Sequence, residues 1–165
     1  MFPKHKNEFR RIIEKINPNQ ILVEIDREIN LKSSQIKKYP KEMIFSYNWA
    51  VKNNKQVDVF DTNRYKQIKK TATKKDLDEA TKIFLKMFKN YDWKQMNQRL
   101  PSIEEYRKIE RKVLNLREVN ARRKVMLSNI RRLSIKKGSI LIVTGASHLD
   151  FFEKNIKGAI FPFRQ

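Results

Sequence analysis

The chain has 165 residues, with 38 Lys and Arg against 18 Asp and Glu, a formal charge of +20, no cysteine, two histidines and three glycines. No disulfide framework or cysteine-based zinc module can be built from it, and glycines at 138, 145 and 158 alone cannot write a P-loop or a GxGxxG fingerprint. Two histidines exclude a three-His metal site within one chain, no apolar run approaches a membrane span, and residues 1–11 carry charges where a signal peptide needs an apolar core, so a soluble, cytoplasmic, single-domain protein is expected.

Phe9, Ile12, Ile13 and Ile16 recur at helical spacing, and Asn17-Pro18-Asn19 is expected to stop that helix. Ile21-Leu22-Val23-Glu24-Ile25 is a short β-branched apolar run and reads as a buried strand. Pro40 can open a helix with Met43, Tyr47, Ala50 and Val51 on one side. Val57-Asp58-Val59-Phe60 reads as a second strand ending at Asp61. Connections too long for hairpins make this β-α-β order point to parallel strands.

The middle of the chain is expected to be helical. Leu77, Ala80, Phe84, Met87, Phe88 and Tyr91 form one apolar stripe, with Asp76, Asp78 and Glu79 in the first turn. Ser102-Ile103-Glu104-Glu105 after Pro101 has the form of a capping box. The long amphipathic helix that follows carries Ile103, Tyr106, Ile109, Val113, Leu116, Met126, Ile130 and Leu133, with breaks admitted at Asn115 or Asn120. Ser139-Ile140-Leu141-Ile142-Val143 reads as the next strand, followed by a short helix and a last apolar run, Ala159 to Phe163, read as a strand. The fold class is therefore α/β: a small, at least partly parallel sheet with flanking helices. Within one domain over 1–165, a β-α-β half (1–61) is followed by a basic helical segment (62–138) and a final strand-helix-strand (139–165).

The charge is uneven along the chain. Residues 1–61 hold 12 basic and 8 acidic side chains, residues 62–138 hold 23 and 8, and residues 139–165 hold 3 and 2. The excess therefore lies in the helical middle, where a charge of this size attracts polyanions non-specifically. Part of it has a second source. Lys, Ile and Asn occur 25, 18 and 14 times, all with A/T-rich codons, and a biased genome supplies lysine without selection for anion binding.

Four polar residues fall at strand ends or on helices beside them, where α/β proteins place ligand sites. Glu24 interrupts an apolar strand, Glu42 opens the following helix, Arg122 lies on the long helix, and His148 follows the strand at 139–143, three residues after Gly145. Gly145 is the glycine expected to let the backbone turn there. Carboxylate, imidazole and guanidinium together could bind a metal or activate a water. The competing assignments are a solvent-facing Glu24, a solvated helix charge at Arg122, and a His148 that caps the last helix.

The segment PNQILVEID, Pro18 to Asp26, resembles the P-D-x-V-x-V-E-L-D segment of the TraB/PrgY/GumN family, which includes the TIKI-like proteases. Glu42-Met43, Ala50 and QVDVFD, ending at Asp61, resemble its E-M-x-x-A…A…v-x-L-I-D-R segment. Arg122, Met126 and Ile130 are similar to its E-R-D-x-x-M…I helix, and Gly145-Ala146-Ser147-His148-Leu149 to its G-A-G-H-L, a GxxH motif. The four segments run in the family's order over about half the chain.

The chain departs from the pattern in specific places. Counting back from Glu24 puts the family's first GxxH before Met1, which implies an N-terminally shortened or a divergent member. His5 follows no strand, lacks the glycine three positions earlier and is expected to be a helix-start residue. Ala121 and Arg123 stand where the family has Glu and Asp, and Thr62 where it has Arg.

The resemblance implies a metal-dependent hydrolase acting on peptide or ester bonds, active or inactive. Its candidate catalytic residues are Glu24, Glu42, Arg122 and His148, with Glu24 and His148 as ligands of a divalent metal of unspecified identity and Asp61 and Gly145 in support. Two protein ligands would hold a catalytic metal weakly, since such sites usually have three. Two other classes remain open on the residues. One is a nucleic-acid or polyanion-binding module using residues 107–137, where Arg107, Lys108, Arg111, Lys112, Arg117, Arg122, Arg123, Lys124, Arg131, Arg132, Lys136 and Lys137 crowd together. The other is an inactive interaction protein or homo-oligomer that covers an exposed sheet edge.

Overall fold

The structure is a computed structural model that describes residues 2–29, 34–62, 73–92, 95–98, 100–113 and 116–161. Helix α1 runs Phe2–Ile16, strand β1 Gln20–Asp26, helix α2 Lys41–Lys52 and strand β2 Gln56–Asp61. Then come helices α3 Lys74–Phe88, α4 Pro101–Val113 and α5 Leu116–Leu133, strand β3 Ile140–Val143 and helix α6 Leu149–Asn155. The fold is α/β with a three-stranded parallel sheet in the order β2-β1-β3. No helix among the described residues is long and apolar enough to cross a membrane.

The chain divides into two compact units, residues 1–63 with 125–145, and residues 64–124 with 146–165. In the first unit, β1 is the central strand and every residue of it is buried, as the near-continuous apolar run requires of a parallel strand covered on both faces. Ile21, Val23 and Ile25 join Ile13 of α1, Met43 and Ala50 of α2, Tyr39 and Val143 in one core cluster. Gln20, on the alternate face, meets the other layer. Its amide donates to the Leu133 carbonyl at 2.9 Å and to Asp58 at 2.8 Å, and its carbonyl accepts from the Ile135 N–H at 3.1 Å. The β1–β2 connection through α2 and the end of α5 that leads into β3 thus lie on opposite faces of β1.

Several local expectations are corrected. Val51 is exposed rather than on the buried side of α2, where Met43, Ser46 and Ala50 are the buried residues. Ile16 is also exposed, because α1 ends there as Asn17 turns into the left-handed region at φ 43°. Pro101 is itself the first residue of α4, the position its fixed φ suits. Ser102 is therefore inside the helix and bonds the Tyr91 hydroxyl at 2.8 Å instead of capping. A complete capping box forms earlier, between Thr73 and Asp76 at the start of α3. In the long helical segment α4 is described to Val113 and α5 from Leu116; the break admitted at Asn115 lies outside the described residues, and Asn120 sits within α5. Residues 159–161 form no strand and Ile160 is 88% exposed, while 162–165 lie outside the described residues.

In the second unit, the apolar stripe of α3 meets α4 through aromatic rings. Tyr106 stands edge-on to Phe84 at 5.4 Å and to Phe88 at 5.5 Å between ring centroids, and Tyr91 meets Phe88 at 5.1 Å. Such edge-to-face pairs set the electropositive rim of one ring against the face of the next.

Candidate functional site

Glu24 lies near the carboxyl end of β1. The register pairs Val23 with Val143, so the next residues, Glu24 and Thr144, run alongside each other where β3 ends. On the β2 side, three residues of β1 span two of β2 between Val23 and Asp26, the two-against-one count of a bulge. The Glu24 carboxylate is 4% exposed, and its Oε2 accepts the Thr144 hydroxyl at 2.6 Å and the Gly145 N–H at 2.7 Å. A solvent-facing Glu24 is thereby excluded. The place is also distinctive: the chain leaves β1 for β2 on one side and returns as β3 on the other, which makes the carboxyl ends of β1 and β3 a topological switch point.

Gly145 is not among the residues with positive φ. Its contribution is the N–H given to Glu24, not a left-handed turn. The turn before β3 is instead made by Gly138, at φ 104°.

In the second unit, His148 closes the short 3-10 turn Ala146–His148 and is the N-cap residue of α6, yet its side chain makes no cap bond. The ring is 5% exposed and is held from α5. The Arg123 Nε–H donates to His148 Nδ1 at 3.3 Å, and Arg123 Nη2 donates to the Ser147 carbonyl at 2.6 Å. Arg122 Nη1 lies 3.4 Å from His148 Nε2. The Phe152 ring lies 6.2 Å from the imidazole. Arg122 and Arg123 are half-buried, so Arg122 is no merely solvated helix charge.

Of the residues selected from sequence, Glu24 and Gly145 are thus joined by a hydrogen bond, and Arg122 and His148 are neighbours. Glu42 is half-buried in the first turn of α2, and its carboxylate makes no hydrogen bond to a described residue. Asp61 is fully buried at the end of β2, where its Oδ1 accepts the Thr62 N–H at 2.7 Å and its carbonyl accepts the Arg27 N–H at 3.3 Å. That makes it a terminator of the strand. His5 lies in α1.

Sequence reasoning missed Thr144 and Asn129 as partners, and it noted Arg123 only as a departure from the family pattern and as one cation of the basic 107–137 stretch. Asn129 is buried on α5, donates to the Phe60 carbonyl at 3.0 Å and accepts from Arg27 at 3.3 Å. An Asn about one turn before the end of an amphipathic helix carries no signal of its own. Thr144, directly before Gly145, could have been found by the β1–β3 pairing alone.

The donor set does not fit the divalent metal that the family resemblance implies. A metal-bound imidazole gives one nitrogen lone pair to the ion and usually its other N–H to an acceptor. Here both ring nitrogens of His148 face guanidinium groups, which are cationic and can only donate. One carboxylate oxygen of Glu24, the other expected ligand, already accepts two hydrogen bonds. Among the described residues no three His, Cys, Asp or Glu side chains group as ligands.

Comparison of the chain with protein-family models, with curated proteins and with solved structures finds no match.

Proposed function

We propose that the chain is a TraB/PrgY-like protein that hydrolyses a peptide or ester bond, with Arg122 and His148 acting as paired donors to the carbonyl oxygen under attack. The observation that carries this reading is the 3.4 Å separation of Arg122 Nη1 and His148 Nε2. Two donor nitrogens at that spacing can both reach one oxygen at hydrogen-bond distance. Negative charge that builds on such an oxygen during acyl transfer is stabilised by donors already in place. Four motif segments in the family's order, ending in the G-x-x-H of Gly145 to His148, support the assignment. Glu24 serves by fixing the Thr144–Gly145 end of that segment.

The test is turnover of a panel of activated esters and short peptides, with and without a chelator. Turnover is expected to survive chelation and to fall about 100-fold or more on Arg122→Ala or His148→Ala, the size typical of a lost oxyanion donor. Absence of turnover across the panel, or unchanged rates in both variants, overturns the hydrolase reading.

One observation favours a second reading, binding of a polyanion. Arg131, Arg132, Lys136 and Lys137 are all exposed around the end of α5. Such a cluster would give an affinity for nucleic acid that falls steeply and log-linearly with salt. A salt slope that Arg131→Ala with Arg132→Ala leaves unchanged removes it.

A further inference from the structure

We infer that the first unit docks on a membrane surface rich in anionic lipid, through the edge at which its three strands begin. Strands that run parallel start at one edge, and here they start level: Gln20 pairs with Gln56 on one side and with Ile140 on the other. Three corners of the chain, 15–19, 51–56 and 134–139, therefore meet at that edge. Hydrogen bonds stitch them together. The Lys55 ammonium donates to Asn17 Oδ1 at 2.9 Å, the Gln56 N–H to the Asn19 carbonyl at 3.3 Å, and the Ser139 N–H to Asn19 Oδ1 at 2.9 Å.

The three corners hold five lysines and no acidic residue. Lys15, Lys52, Lys136 and Lys137 are exposed. The nearest acids along the chain are Glu14, which offsets one lysine, and Asp58, whose carboxylate accepts the Gln20 and Gln56 amides. Codon bias supplies lysine everywhere, yet the connection 26–42, which leaves the opposite edge, mixes five basic with three acidic side chains. Helix dipoles favour cations in the last turns of α1 and α2, but Lys136 and Lys137 lie beyond α5, in the connection to β3. Nor do dipoles account for the two aliphatic side chains beside these lysines. Ile16, the last residue of α1, is 38% exposed, and Val51, in the last turn of α2, is 55% exposed. That combination selects the partner. Attachment to a bilayer surface uses apolar side chains that enter the headgroup boundary and lysines that face anionic lipid. A nucleic-acid backbone uses the charge alone. The inference rests on the polyanion reading above and names the polyanion; the hydrolase reading does not enter it.

The experiment sediments the full chain with vesicles of phosphatidylcholine alone and with vesicles of equal parts phosphatidylcholine and phosphatidylglycerol. Affinity for a DNA duplex is measured in the same buffer. Binding is expected on the anionic vesicles and not on phosphatidylcholine alone. Lys136→Ala with Lys137→Ala is expected to weaken it about 25-fold, at about 5-fold for each lysine near the surface. Ile16→Asn with Val51→Asn is expected to weaken vesicle binding and to leave duplex affinity unchanged, which also reports that this variant is folded. Lys82→Ala with Lys86→Ala removes the same charge from exposed positions of α3 and is expected to leave vesicle binding unchanged. No binding to the anionic vesicles, an equal loss in the α3 pair, or vesicle binding that survives Ile16→Asn with Val51→Asn overturns the inference. Duplex affinity without vesicle binding would refute the membrane partner and leave the polyanion reading standing, whereas absence of both would refute both.

Discussion

The Oε2 atom of Glu24 takes the Gly145 N–H at 2.7 Å across 121 residues of chain. The same oxygen takes the Thr144 hydroxyl at 2.6 Å, so one buried carboxylate ties the carboxyl end of the central strand to the end of its neighbour. Parallel strands cannot be closed by a hairpin, and their ends must be fixed by contacts of this long-range kind.

Glu24→Ala leaves a hydroxyl and a backbone N–H without their acceptor, each half-buried. The expected loss in unfolding free energy is about 2–4 kcal/mol, since an orphaned donor costs its desolvation and the bonds lost are charge-assisted. Glu24→Gln keeps an acceptor oxygen in place and is expected to lose less than half as much. Urea denaturation of the three proteins measures this. Equal stability of wild type and Glu24→Ala would mean that the carboxylate does not hold the strand ends together.

Gly138 turns the chain into β3 at φ 104°, a region that residues with a Cβ rarely adopt. A Cβ there would also stand 2.6 Å from Asn19 Oδ1. That oxygen is committed, because it accepts the Ser139 N–H at 2.9 Å and the Ser139 hydroxyl at 3.2 Å. Gly138→Ala is therefore expected to destabilise by about 1–3 kcal/mol, the cost of a strained left-handed residue. Gly158→Ala supplies the comparison: it has φ 75° but nothing within 4 Å of the added carbon. A thermal midpoint that falls more for Gly138→Ala than for Gly158→Ala separates the clash from the φ strain common to both.

The elements that the sequence made legible are those with a strong period or composition. The run 21–25 reads as a buried strand because both alternate faces are apolar around a single Glu, and β1 is buried throughout. The order β-α-β with long connections pointed to parallel pairing, as found. Chain ends and caps were less legible, since they depend on which residue claims one hydrogen bond. Pro101 took the first helical position and displaced Ser102 from its expected role. Glu24 and His148 stood out as polar residues in apolar surroundings. Their partners did not: Thr144 is one hydroxyl among many, and Arg123 is one cation in a stretch crowded with them.

Asn129 shows what such an unmarked residue can hold. It is buried on α5, reaches the Phe60 carbonyl at 3.0 Å and takes Arg27 at 3.3 Å, so it links a helix to the ends of two strands. Asn129→Ala is expected to cost about 1–3 kcal/mol through the lost hydrogen bonds to the Phe60 carbonyl and from Arg27. Amide hydrogen exchange should place the loss at the end of β2 and along 125–133. A variant as stable as the wild type, with unchanged exchange there, would contradict the assigned bonds.

The start of α3 carries a carboxylate whose titration is coupled to a helix cap. The Thr73 hydroxyl and the Thr73 backbone N–H both hold the Asp76 carboxylate, at 2.6 and 2.9 Å, and draw its pKa below the ordinary 3.8. A carboxyl whose folded pKa lies below its unfolded value binds fewer protons when folded, so its stabilising effect is complete above pH 3.8 and is lost as pH falls through the lowered folded value. Protonation takes away the charge that the N–H and hydroxyl favour, and with it half of the capping box. Fraying of the first turn of α3 is therefore expected on acidification below about pH 4, near the carboxyl range. Amide exchange of residues 74–78, followed from pH 6 to pH 2 after correction for intrinsic exchange rates, measures it. Asp76→Asn should show the frayed turn at every pH. Protection that stays constant down to pH 2 in the wild type, or a pH response that survives in Asp76→Asn, would assign the acid sensitivity of this helix to some other group.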